Sequence, residues 1–220
     1  MTDLLPNLTN QTGGMETTIQ LLLLLTVLSL APSILILMTC FTRIVIVLSF
    51  VRTSLATQQM PPNQVLIGLA LFLTFFVMAP TFQEINKEAI SPLIKGKITQ
   101  EEAFDKGALP LKEFMTKHTR EKDLELFLNY SKAKRPEKIE DISLTALVPA
   151  YAISELKSAF QMGFMIFVPF LVIDMVVASV LMAMGMMMLP PVMISLPFKI
   201  LLFILVDGWY LIVKSLLSSY

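Results

Sequence analysis

The 220 residues are 55% apolar and only 15% charged, with 17 Lys/Arg balanced by 17 Asp/Glu and a mean hydropathy of +0.72. Soluble domains average about 45–50% apolar and about 25% charged residues, so this composition excludes an ordinary soluble domain. Zero net charge leaves no electrostatic footprint for nucleic acid; the single cysteine, Cys40, excludes an intramolecular disulfide and reads as a small buried hydrophobe; one His with one Cys is a thin basis for a metal site.

Residues 1–18 read as a polar N-terminal segment. Asp3 and Glu16 precede the first apolar run, and no Lys or Arg appears before Arg43. A secretory signal needs a basic start and a short apolar core, so the long run reads as an uncleaved membrane anchor. The N-x-S/T triplets at Asn7, Asn10 and Asn129 matter only in a glycosylating pathway and read as chance.

Four apolar stretches follow: 19–51, interrupted in charge only by Arg43; 64–82, with no charge; 160–189, with Asp174; and 192–213, with Lys199 and Asp207. A spanning helix needs roughly 20 apolar residues. The expectation is an all-α membrane protein with four long hydrophobic helices in two hairpins, 19–82 and 149–220. The first and third stretches exceed a bilayer, and tilt, a kink at Pro32 or Pro169, or projection beyond the membrane absorbs the excess. Each hairpin turns at a proline pair, Pro61-Pro62 and Pro190-Pro191, which lacks N–H donors and breaks a helix. Arg43 and Arg52 favour a cytoplasmic first turn, which puts the basic middle region on the outer side; long loops cross largely regardless of charge, so charge alone leaves the topology open.

Between the hairpins, 83–148 reads as a small polar helical domain. The span 83–145 carries 12 of the 17 basic and 12 of the 17 acidic residues. Thr99 and Glu102 fit a capping box. Pro110 suits the start of a helix carrying Leu111, Phe114 and Met115 on one side, and Thr119 suits the cap of a second helix. The stripe Leu124, Phe127 and Leu128 is either domain core or a subunit contact.

Ionisable residues in apolar runs are the first candidates for function. Asp174, Lys199 and Asp207 would each cost about 2.5–3.5 kcal/mol at a bilayer centre. Asp174 and Lys199 reach similar depths in a hairpin, so they read as a register-fixing salt bridge, a proton or ion relay, or side chains snorkelling to an interface. Glu155 and Lys157 read as an interfacial rim or an intersubunit contact. Ala159-xxx-Gly163 and Ser179-xxx-Ala183 are small-residue patterns for close helix packing. Five of the 15 methionines fall within 182–188; flexible and polarisable, they read as apolar filler or as a soft lining. No nucleotide-binding or metalloprotease motif occurs, so no enzyme and no cofactor are expected.

The strings PAYAISELKSAFQMGF at 149–164 and PFLVIDMVVASVLMAMGM at 169–186 resemble the two signatures of the FliP/SctR family. LMTCFTRIVIVLSF at 37–50 and VDGW at 206–209 also resemble the family. The resemblance implies a core subunit of a flagellar type III export gate in the bacterial inner membrane. It implies a homo-oligomeric, pentameric ring with FliQ and FliR, joined by FlhA and FlhB, with FliO aiding assembly and unfolded proteins as substrates. It further implies that Met186, Met187 and Met188 form a pore gasket, that Phe114, Phe127 and Glu155 serve the oligomer interface, and that Arg120, Asp174 and Lys199 form buried charge pairs. An ion channel or a non-conducting assembly scaffold are the alternatives.

Overall fold

The computed structural model describes residues 21–22, 25–26, 29, 32–57, 59–131, 136, 138–186 and 188–220. The polar segment expected at 1–18 lies outside the described residues, as does Met187. The chain divides into two units, 1–36 and 37–220.

In the first unit the described residues from Leu21 to Ser29 are helical. Leu21, Leu22 and Leu25 are exposed, while Thr26 and Ser29 satisfy their hydroxyls on backbone carbonyls one turn back, as hydroxyls in a nonpolar helix must.

The second unit is all-helical among its described residues. In chain order the helices are α1 (Phe41–Ser54), α2 (Asn63–Ile85), α3 (Ser91–Ile94), α4 (Gln100–His118), α5 (Glu121–Tyr130), α6 (Leu144–Ala183), α7 (Pro191–Leu205) and α8 (Gly208–Leu217). A π-helical turn, Asn86–Ile90, joins α2 to α3. Pro62 is the N-cap of α2 and Pro190 that of α7, so both proline pairs break the chain where expected.

Two continuous helical spans, Asn63–Ile94 and Leu144–Ala183, are long and apolar enough to cross a membrane, or up to four if each of two bent pairs counts as one span. Two of the four expected helices are therefore broken. The first apolar run is interrupted at Thr39 and Cys40, between Pro32–Met38 and α1. The fourth bends by 62° between α7 and α8, where Asp207 takes the left-handed conformation (φ 51) and a Cβ on Gly208 would lie 2.4 Å from the Phe203 ring, which would have to move. Pro169, by contrast, lies inside the unbroken 40-residue α6. At 1.5 Å per residue α6 is about 60 Å long, roughly twice the hydrocarbon thickness, and it begins before the expected boundary at 149.

Helix α1 packs chiefly on α6 and then on α2. Ile44, Val47, Leu48 and Val51 meet Leu66, Ala70 and Leu73 of α2 and Ala159 and Phe170 of α6 in the main core. Arg43 contacts Glu155, and Phe50 sits edge-on to Phe160 with centroids 5.6 Å apart, so α1 and α6 run parallel. Glu155, Ala159 and Gly163 recur every four residues and share one face of α6. That face is the contact: Ala159 is fully buried, and a Cβ on Gly163 would lie 2.4 Å from the Phe50 ring. The other small pair, Ser179 and Ala183, is exposed.

The polar region builds a second core. Met115, Ile142, Leu147 and Tyr151 pack with Leu111, Phe114, Leu124 and Val148, drawing the start of α6 into the same unit. Leu124 packs against this core and Leu128 is buried, while Phe127 is half-buried. The Thr99–Glu102 capping box forms. Pro110, however, lies inside α4, and Thr119 ends α4, donating its hydroxyl to the Met115 carbonyl at 2.7 Å, while Arg120 is the N-cap of α5.

Gly163→Ala is predicted to lower stability by about 1–3 kcal/mol, the usual cost of overpacking. Adding Phe50→Ala should recover part of it. Thermal unfolding in detergent reads both; an unchanged single variant would contradict the close α1–α6 approach.

Candidate functional site

The methionine turn is built by helix termination. Gly185 adopts φ +75, and the Met186 N–H donates to the Leu181 carbonyl at 2.9 Å while the Gly185 N–H donates to the Met182 carbonyl at 3.0 Å. These two bonds are a Schellman motif, which caps α6 and needs glycine at the left-handed position. The chain then reverses into α7 at Pro190-Pro191. Thioethers project outward: Met182, Met184 and Met193 are exposed, Met186 is at the edge of exposure, and Met188 is 100% exposed.

A polar clamp joins the helices beneath this turn. Lys199 Nζ donates to Asp174 Oδ2 at 2.6 Å, and Ser195 Oγ donates to the other oxygen of the same carboxylate. Lys199 and Ser195 are buried, and Asp174 is mostly so. Ser195 and Lys199 stand one turn apart on α7, so each Asp174 oxygen meets one donor. Between α6 and α7 runs an apolar groove of about 570 Å³, lined in part by Val176, Val180, Met184, Ile194 and Phe198.

A second polar cluster ties α1, α6 and the last residues together. Arg43 Nε donates to Glu155 Oε2 at 2.9 Å, and Arg43 Nη2 donates to Oε1. Arg43 Nη1 reaches the Ser219 carbonyl at 3.2 Å and its hydroxyl at 3.1 Å. The Tyr220 hydroxyl donates to Glu155 Oε2 at 2.6 Å, and the guanidinium lies 4.2 Å from the Tyr220 ring centroid. That ring also stacks on Phe114 and meets the edge of His118. Every oxygen of the carboxylate is engaged, which is what makes a buried ion pair tolerable.

This placement corrects the reading of Glu155 as a rim carboxylate. Its accessible surface is zero within the chain, because Arg43 and Tyr220 cover it. Phe114 is likewise engaged within the chain, and Phe127 keeps part of its ring exposed. Arg120 lies in the polar region, away from the clamp. Its guanidinium meets Asp123 at 2.5 Å, and its backbone N–H donates to Ser154 Oγ, which in turn donates to Asp123. Burial pushes the Asp123 carboxyl up, but the Ser154 hydrogen bond and the Arg120 charge more than offset it, and its pKa falls below the ordinary value. Asp174 and Lys199 are brought together; Arg120 joins neither.

Arg43, Tyr220 and Ser195 were not among the residues expected from sequence. Arg43 had a signal, since a lone cation in an apolar run needs a partner. Tyr220 and Ser195 had none.

Comparison with known proteins agrees in one direction. The FliP family model matches residues 24–216. The flagellar biosynthetic protein FliP of Bacillus subtilis is 77% identical over 207 residues, 94% of each chain. That of Aquifex aeolicus is 51% identical over 210 residues, covering 94% of this chain and 88% of its own. That of Caulobacter vibrioides is 53% identical over 214 residues, covering 97% of this chain and 80% of its own.

Glu155→Ala leaves the Arg43 guanidinium buried and unpaired, so detergent melting should report a loss of about 3–5 kcal/mol. The apolar double variant, Arg43→Met with Glu155→Leu, should cost less than either single change. A pH effect is also expected. Burial first, then the charges of Arg43 and Lys117, holds His118 down at about 4 against 6.5 ordinarily. The fold favours the neutral ring, so this contribution is complete above about pH 6.5 and is lost as pH falls toward 4. His118→Phe should flatten the melting temperature across that window; an unchanged slope would contradict the assignment.

Proposed function

The chain belongs to the FliP family, and from that premise we propose that it is a non-enzymatic, pore-forming subunit of a flagellar protein-export gate in the bacterial inner membrane. The observation that carries this reading is the methionine turn. A hairpin with a clamped base presents thioethers at its tip, and Met188 keeps its whole side chain open.

Copies of this turn around a common axis make an apolar constriction. Thioether side chains are flexible enough to fill irregular gaps and to yield around polypeptides of varied sequence. With no polypeptide inside, such a constriction excludes ions by dewetting. The apolar groove between α6 and α7 suits a neighbouring copy, in a ring of five. FliQ and FliR complete the ring in this reading, FlhA and FlhB join it, and FliO aids assembly. Energy coupling falls to those partners. Met187 belongs to the gasket by its place in the sequence between Met186 and Met188.

Replacing Met186, Met187 and Met188 together with Ala should raise ion leak through the assembled complex while ring yield stays unchanged, because apolar volume is lost at the constriction. Conductance in planar bilayers, with native mass spectrometry to count subunits, reads both. An intact ring that stays tight would overturn the gasket.

A further inference from the structure

Ser195 is the clamp residue that the sequence did not announce, and its side chain is fully buried and spent on one acceptor pair. Its hydroxyl donates to Asp174 Oδ1 and lies 3.1 Å from the Val192 carbonyl, one turn back toward the methionine turn. Lys199, one helical turn further along α7, holds the other oxygen of the same carboxylate.

A single salt bridge fixes a distance. It leaves α7 free to rotate about its axis and to slide along α6, because an ammonium accepts many approach directions. Two donors at i and i+4, each taking one oxygen of a planar carboxylate, remove both freedoms. A short side chain with its hydroxyl near the backbone also supplies the directionality that a long lysine lacks. The residues beyond this point toward the tip are mostly exposed in the chain: Met175, Val176, Val180 and Met182 on α6, and Met193 and Ile194 on α7. Among the described residues between the clamp and the tip only Leu181 is buried, so the clamp is the one directional contact that sets where the turn points.

We propose that Ser195 is the positioning residue of the methionine turn: with Lys199 it makes Asp174 a two-point clamp that fixes the register of α7 on α6 and hence the direction of the thioethers. The proposal rests on the gate reading only for its consequence in leak; the positioning itself is separable. Ser195 touches no substrate and acts through Asp174.

The test uses the purified export-gate complex and two readouts. Amide hydrogen exchange of residues 184–194 reports the turn, and single-complex conductance reports the seal. Ser195→Ala should speed exchange of those amides by about tenfold, the factor expected on losing a hydrogen bond to a charged acceptor, with the rest of the complex unchanged. Ser195→Thr, which keeps the hydroxyl, should restore the native rate, and Ser195→Cys, close in volume but a weak donor, should fall between them. Increased leak in the same order supports the positioning of a gate. Faster exchange without leak supports the positioning and counts against the gate reading. Native exchange at 184–194 in Ser195→Ala overturns the proposal. Should Ser195→Ala fail to assemble, Ser195→Cys carries the test alone, and native exchange in it overturns the proposal equally.

Discussion

A guanidinium and a carboxylate 112 residues apart in sequence meet in an environment where neither is tolerable alone. Arg43 sits in the first apolar run and Glu155 on the longest helix. An isolated charge among apolar helices costs several kcal/mol on any scale, and both costs fall only when the two groups satisfy each other. That requirement decides the register of α1 against α6. Once it is met, Ala159 and Gly163, one and two turns further along α6, fall opposite the α1 face that carries Val47 and Phe50. In an apolar surrounding the hydrophobic effect supplies little between helices, and close packing of small residues does the work instead. The tail then closes the arrangement, because the Tyr220 hydroxyl gives Glu155 Oε2 a second donor beside Arg43 Nε, and its ring covers the guanidinium.

The α6–α7 hairpin follows another logic. Its base is specified by directional bonds, and its tip is made of the least directional side chain available. Methionine at the tip gives a surface that adapts; Asp174, Ser195 and Lys199 at the base give that surface a fixed address. In the proposed gate a conforming seal would need both properties, since a rigid tip would reject varied polypeptides and a loose base would let the ring open without one.

Local chemistry was legible in the sequence and long-range partnership was not. The proline pairs broke the chain at Pro62 and Pro190, the capping box formed at Thr99, and equal depth in a hairpin brought Lys199 to Asp174, because each depends on neighbours within one or two elements. Composition marked the apolar helices but overcounted the unbroken ones. The interruption at Thr39 and Cys40 carries no glycine or proline to announce it. The one at Asp207 does carry an Asp-Gly pair, a turn signal hidden by the apolar residues on both sides. Glu155 was misplaced for a physical reason: a carboxylate near Lys157 looks like a solvated rim until Arg43 and Tyr220 arrive to bury it. Pro110 misled in the same way, since its fixed φ suits the interior of α4 as well as its start, at the loss of one backbone bond.

The central claim is that the methionine turn lies on the path of exported polypeptide. Site-specific photocrosslinking answers it directly: a photoreactive residue at position 188, the fully exposed end of the turn, in cells that hold a stalled export substrate in the assembled gate. An adduct between this position and the substrate is the expected result. An assembled gate that crosslinks to substrate from another pore position but not from 188 would contradict it and leave the methionines as packing.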